Sequence, residues 1–223
     1  PLFLKMGDQL LASRFLFNGW GGKYLLEGDD TVGERVAEFT GIQEVQFHDW
    51  ILEGGSIELD GAGNLLTTEE CLLNPNRNPG MNRGEIESRL KDVLGVEQVH
   101  WLKKGLSGDH TDGHIDNLAR FVGPAKVICM ESSNTKDPNA DILREVLEDL
   151  SLFRNDDRNP FEIRTLPSPG KVLDSDGNLM AASHVNFYMG NRVLVVPLYP
   201  DSQEDEIVPV LQDCFPGRRV VGC

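Results

Sequence analysis

An α+β ring of ββαβ units is the fold class this sequence predicts, and two observations predict it. The order strand, strand, helix, strand can be read four times along the 223 residues. Each of the later three units also opens on a polar junction of the same kind: Glu53-Gly-Gly-Ser56, Gly113-His-Ile-Asp116 and Ser183-His-Val-Asn186. The units share no obvious sequence, so the repeat is structural, and such units need neighbours to close their cores. A pseudosymmetric ring around a central channel meets that need within one domain, with units at roughly 1–50, 51–103, 104–167 and 168–223.

In the first unit, residues 3–15 read as two strands about a Gly7-Asp8 turn. They run into Asn18-Gly-Trp-Gly-Gly22, where glycines permit sharp bends. Val32, Val36, Ala37 and Phe39 lie at near-helical spacing, with Asp30 or Thr31 to cap the helix and Gly41 to end it; 45–50 is then a strand. The second unit has a hairpin over 56–68 about Gly61-Ala-Gly63. Its helix over 84–94 carries Ile86, Leu90 and Leu94 on one stripe, and its last strand is 96–102. The third pairs 114–121 with 126–130, continues as a helix over 140–150 with Ile142, Val146, Leu147 and Leu150 inward, and ends in a strand over 161–166. The fourth pairs 183–189 with 192–197 about Gly190-Asn191, then has a helix over 205–214 and a strand from Arg219.

The stretch from Ser107 to Asn117 packs Asp109, His110, Asp112, His114 and Asp116 ahead of the apolar run Leu118-Ala-Arg-Phe-Val122. If 114–116 continue that strand, a period of two puts His114 and Asp116 on one face and Ile115 on the other, so an acid/base group and a carboxylate share a pocket. His110, Asp112, His114 and Asp116 could also be arranged around a metal, but alternating ligands on one strand leave no fourth group, and no metal is expected. Glu53 stands before two glycines that either form a turn or let backbone approach a planar ligand closely. Trp20 is either a rim residue presented to a cation or a core residue. Cys71 abuts Leu72-Leu73 and reads as a buried, inert thiol. His48 and His100 lie in apolar strands and read as structural, while the acidic runs Glu69-Glu70, Asp156-Asp157 and 201–206 read as solvated faces or helix N-termini.

Composition narrows the partners. With 39% hydrophobic and 26% charged residues the chain can bury a core, and its net charge of −15 repels nucleic acid and anionic membranes at long range. A small cation is the natural guest. Four scattered cysteines without a CxxC pair point to a reducing cytosol. No run of twenty apolar residues suggests a membrane span. The chain opens at Pro1 and stops inside Val220-Val-Gly-Cys223, which reads as a segment of a longer protein. Edge strands left open by a missing unit would invite pairing with another copy.

Longer matches then appear. Trp50-Ile-Leu-Glu-Gly-Gly-Ser-Ile-Glu58, Leu66-Thr-Thr-Glu-Glu-Cys-Leu-Leu-Asn-Pro-Asn-Arg-Asn-Pro79, Asp109-His-Thr-Asp-Gly-His-Ile-Asp-Asn117, Val185-Asn-Phe-Tyr188 and Phe215-Pro-Gly-Arg-Arg-Val-Val-Gly222 resemble the agmatine deiminases of the bacterial peptidylarginine deiminase family. The resemblance implies a pentein fold, five ββαβ units about a pseudo-fivefold axis, of which about four are present. It implies a hydrolase without organic or metal cofactor that converts agmatine to N-carbamoylputrescine and ammonia, a step toward putrescine. His114 matches the family's catalytic histidine, Glu53 the acid that supports it and Asp116 a carboxylate that grips the guanidinium. Asp109 in the same cluster and Trp20 as a rim residue are the further candidate substrate contacts. Pro1 matches the last residue of a Trp-x-Arg-Asp-x-Gly-Pro motif, which would place that motif's Asp upstream. The nucleophilic cysteine would lie downstream of Cys223, leaving this segment inactive alone. Arginine or peptidylarginine as substrate, and a non-catalytic guanidino- or amine-binding pentein, are the alternatives. A homo-oligomer paired through the open strand edges is the partner expected beside the small guanidino cation.

Overall fold

The computed structural model describes residues 1–200, 202 and 204–223. Among them the strands form four three-stranded sheets, each built in the same way. Strand β1 (Leu2–Met6) pairs antiparallel with β2 (Gln9–Leu16), helix α1 (Asp29–Thr40) crosses over, and β3 (Val45–Ile51) returns parallel to β2. The second sheet holds β4 (Ile57–Leu59), β5 (Asn64–Thr68) and, after α2 (Arg83–Leu94), β6 (Gln98–Leu102). The third has β7 (Ala119–Gly123), β8 (Lys126–Glu131), α3 (Ala140–Leu152) and β9 (Glu162–Pro167). The fourth has β10 (Tyr188–Met189), β11 (Val193–Val196), α4 (Glu204–Cys214) and β12 (Arg219–Gly222).

The helices start and stop for local reasons. Asn82 and Glu85 form a reciprocal capping box at α2, and Gly95 ends that helix in the left-handed region. Helix α1 begins one residue before the expected caps: Gly28, not Asp30 or Thr31, is its N-cap, while Gly41 does end it. The inward stripe of α3 is Leu143, Val146 and Leu150, with Ile142 and Leu147 half-buried beside it. Leu143 was outside the expected stripe. A helix repeat of 3.6 makes a stripe wider than the four positions first assigned.

Burial is uneven around the chain. The third and fourth units share one apolar core that includes Ile115, Leu118, Ile128, Met130, Val185 and Leu194, and a second core gathers Trp50, Ile57, Leu65, Ile86, Leu90 and Trp101. In α1 the apolar spacing is present but only Ala37 is buried, and Phe39 is 93% exposed. That helix rests on β2 through Ala37 and Gly33, and leaves Val32, Val36 and Phe39 exposed among the described residues.

Two strands begin later than expected. Residues 114–118 form a 3₁₀ turn over Ile115–Asn117, closed by Asn117 N–H to His114 O and Leu118 N–H to Ile115 O, so β7 starts only at Ala119. Residues 183–187 also leave the ladder. Ser183 N–H donates to the Tyr199 hydroxyl and Val185 N–H to Ser183 Oγ, so side chains take the donors a strand would have used.

Candidate acid–base and guanidinium site

The loop between β6 and β7 is shaped by close backbone contact. A Cβ at Gly105 would lie 2.1 Å from Gly113 Cα, and Gly113 itself has φ +83°, so neither position accepts a side chain without displacement. Thr68 Oγ1 donates to Gly113 O at 2.6 Å and Gly105 N–H donates to Glu70 Oε2 at 2.7 Å, which fastens the loop to the end of β5. Asp109 is the hub of the loop. Its carboxylate accepts from Thr111 N–H (2.8 Å), Thr111 Oγ1 (2.6 Å), His114 N–H (3.0 Å) and Asn117 Nδ2 (3.2 Å). Four donors leave it no capacity to grip a substrate, so its place is in shaping the loop that delivers His114.

His114 and Glu53 meet across the two unit openings, with His114 Nε2 2.5 Å from Glu53 Oε2 and both residues buried. Burial alone would push the Glu53 carboxyl up, but hydrogen bonds from His114 and Arg77 outweigh it and hold the group below the usual carboxylate range. An ionised carboxylate only accepts, so Nε2 carries the hydrogen and Nδ1 is the nitrogen left for chemistry. That nitrogen sits beside Gly55: a Cβ there would be 2.4 Å from His114 Nδ1 and 2.6 Å from Asp116 Oδ2. Both groups thus lie within about 5 Å of one another around one point. The 3₁₀ turn, rather than the expected strand, brings them there.

Asp116 is unusual in a second way. Its Oδ1 is buried and has no hydrogen-bond partner. Burial pushes this carboxyl above its ordinary range, against the opposing charges of His114 and Arg120. A buried acceptor without a donor is a costly feature.

Arg77, from Asn74-Pro-Asn-Arg-Asn-Pro79, completes the arrangement and was absent from the sequence expectations. It pairs with Glu53 at 3.0 Å and with Asp112, and Asp112 also pairs with Lys23. Only an arginine at the centre of an Asn/Pro turn hinted at it. Trp20 has φ 54° in a loop tied to this network: Lys23 donates to His110 O at 2.8 Å and the Tyr24 ring stacks on His110. His110 and Asp112 therefore serve this loop and do not gather with His114 and Asp116 around an ion.

A cavity of about 410 Å³ opens over the pair. Its walls include Glu53, Gly55, His114, Trp20, Arg14 and Asp30, with Pro1 also on the wall. The fourth unit does not reach it in the way its opening sequence suggested. His184 is buried with Nδ1 against Pro197 O at 2.8 Å, and Asn186 and Ser183 instead bond Asn117, bracing the 3₁₀ turn from behind.

Cys71 lies behind the pair, and the donor atoms of Glu53, Cys71 and His114 fall within 4.8 Å of one another. The set is arranged for hydrogen bonding: both Glu53 oxygens already accept from Arg77, and a metal cation would face that guanidinium. Burial pushes the Cys71 thiol far up, which suits an inert sulfur and not a nucleophile.

Comparison with known proteins gives the family of the chain. An agmatine deiminase of Pseudomonas fluorescens is 36% identical over 230 residues, covering 92% of this chain and 62% of its own length. A solved structure of a C. jejuni agmatine deiminase variant with substrate bound superposes with a TM-score of 0.86 at 32% identity, covering 97% of this chain and 63% of that one. The agmatine deiminase of Enterococcus faecalis gives a TM-score of 0.86 at 28% identity, covering 96% and 64%. The chain thus spans about three fifths of the length of these relatives. The model of the Porphyromonas-type peptidyl-arginine deiminases matches residues 1–223, and the chain belongs to that family.

Proposed function

We propose that this chain supplies the acid–base and guanidinium-binding part of an agmatine deiminase. The observation that carries the reading is Asp116: a buried carboxylate oxygen without a donor, beside the free nitrogen of a histidine whose other nitrogen is held by Glu53. A guanidinium carbon is a poor electrophile because its charge is spread over three nitrogens. Carboxylates bonded to those nitrogens fix the cation and concentrate charge at carbon.

A cysteine thiolate attacks that carbon to form a C–S bond. His114 enters this step as the imidazolium, with Nε2–H on Glu53, and gives its Nδ1 proton to the departing nitrogen; ammonia leaves as the C–N bond breaks, and a thiouronium remains on sulfur. The same Nδ1 then takes a proton from water, whose oxygen attacks the carbon; the C–S bond breaks and the N-carbamoyl product leaves. We place the nucleophile outside residues 1–223, since Cys71 and Cys129 are buried and neither Cys214 nor Cys223 lines the cavity, and we infer that this segment alone does not turn over.

Asp29 and Asp30 on the same wall favour a substrate whose far end is an ammonium, as in agmatine. Arg14 on that wall, bonded to Asp30 O at 3.2 Å, keeps a carboxylate-bearing substrate such as arginine as a second reading. The test is ammonia release from agmatine and from arginine by the 223-residue chain and by the chain extended through a downstream cysteine. Turnover of agmatine by the extended chain alone is expected. Release by the 223-residue chain would contradict the division of labour, and release from arginine only would contradict the substrate.

A further inference from the structure

Arg77 is the most completely bonded side chain near the pair. Its Nε–H donates to Glu53 Oε1 (3.0 Å), Nη2 to Glu53 Oε2 (3.1 Å) and Thr111 O (2.8 Å), and Nη1 to Asn76 Oδ1 (2.8 Å) and the Asp112 carboxylate. A guanidinium has five N–H donors and no acceptor, so each donor here has an acceptor. Those acceptors come from the opening of the second unit, the turn that carries Arg77, and the opening of the third. The residue is 4% exposed. The Trp20 loop also rests on it, since a Cβ at Gly21 would meet Asn76 Nδ2 at 2.4 Å and Arg77 Nη1 at 2.5 Å.

We propose that Arg77 is a positioning residue for the Glu53–His114 pair. Its side-on fork fixes the plane of the Glu53 carboxylate, so that Oε2 is aimed at His114 Nε2 and Nδ1 is turned to the cavity. Through Thr111 O and Asp112 the same guanidinium anchors the loop that carries His114. A lysine cannot replace it, because an ammonium is a point charge without a planar fork. The catalytic consequence rests on the deiminase reading above; the clamp rests on the bonds alone.

The first test needs no reaction. In the 223-residue chain, the Glu53 side-chain carboxyl is followed by ¹³C NMR across pH and identified by its loss in Glu53→Gln. The charged or titratable groups facing it are His114, Arg77 and the Cys71 thiol. Arg77→Met is expected to move the Glu53 midpoint upward, and Arg77→Lys to restore it only in part. An unchanged midpoint in Arg77→Met, or wild-type behaviour of Arg77→Lys, would overturn the proposal. If Arg77→Met does not fold, adding Glu53→Gln removes the stranded buried charge and is expected to recover folding; a double variant that still fails to fold would also overturn it. In the extended chain, Arg77→Met is expected to lower kcat on the order of 100-fold with KM little changed, and a loss confined to KM would refute positioning. Absence of turnover by the wild-type extended chain would count against the deiminase reading alone, because the carboxyl titration reports the clamp separately.

Discussion

Gly55→Ala is the smallest change aimed at the site. The added methyl would start 2.4 Å from His114 Nδ1 and 2.6 Å from Asp116 Oδ2, whereas ordinary contact begins at 3.4 Å. The turn or the imidazole must therefore move by about 1 Å. Overpacking of that kind costs about 1–3 kcal/mol of stability, or roughly 2–4 °C of Tm for each kcal/mol in a chain of this size. A misplacement of about 1 Å at a reacting group lowers rate on the order of 100-fold, about 2.7 kcal/mol of barrier. Gly54→Ala is the matched control in the same turn: nothing lies within 4 Å of its Cβ position and its φ is not positive. It should stay within about 0.5 kcal/mol of wild type. Chemical denaturation and agmatine titration of both variants, with kcat measured in the extended chain, make the assay. Equal effects of the two substitutions, or no effect of Gly55→Ala, would refute the claim that His114 and Asp116 are held against this backbone.

Three further outcomes follow from the same geometry. Asp116→Asn removes a buried charge with an unpartnered oxygen, so it should raise stability by about 1 kcal/mol in thermal melts while abolishing agmatine binding in calorimetry; unchanged binding would deny Asp116 its role. Asp109→Ala strips four bonds from the loop and should destabilise it and weaken agmatine binding, whereas a direct substrate contact would weaken binding without changing hydrogen exchange in 109–117. Glu53 has a folded-state pKa below its unfolded one, so its contribution to stability is present above the unfolded value and is lost as pH falls through the folded one. Glu53→Gln should remove that part of the acid-side loss in pH-dependent unfolding, and an unaltered acid limb would contradict the pairing.

The strand, strand, helix, strand order was legible because hairpin glycines and helical stripes are local signals. Gly7, Gly61 and Gly63 mark turns, and Ile86 and Leu90 are both buried as their spacing suggested. What could not be read was where side chains would take over backbone hydrogen bonds. Ser183 and Tyr199 break up the expected strand before β10, and Asp109 folds the loop so that 114–117 turn instead of extending. His114 and Asp116 stood out by residue type and Glu53 entered through the family resemblance, but Arg77 did not stand out, since its bonds depend on two loops distant in sequence meeting at one guanidinium. The acidic run at 201–206 lies partly outside the described residues; Glu204, Asp205 and Glu206 form the first turn of α4. Among the described residues no helix is long and apolar enough to cross a membrane.

A crystal structure of the 223-residue chain soaked with agmatine addresses the central claim most directly. Guanidinium nitrogens are expected about 2.7–3.2 Å from the Asp116 carboxylate, the hydrogen-bonding range, with the guanidinium carbon facing His114 Nδ1 across Gly55. A guanidinium bound elsewhere in the cavity, or an Asp116 Oδ1 still without a donor in the occupied site, would contradict it.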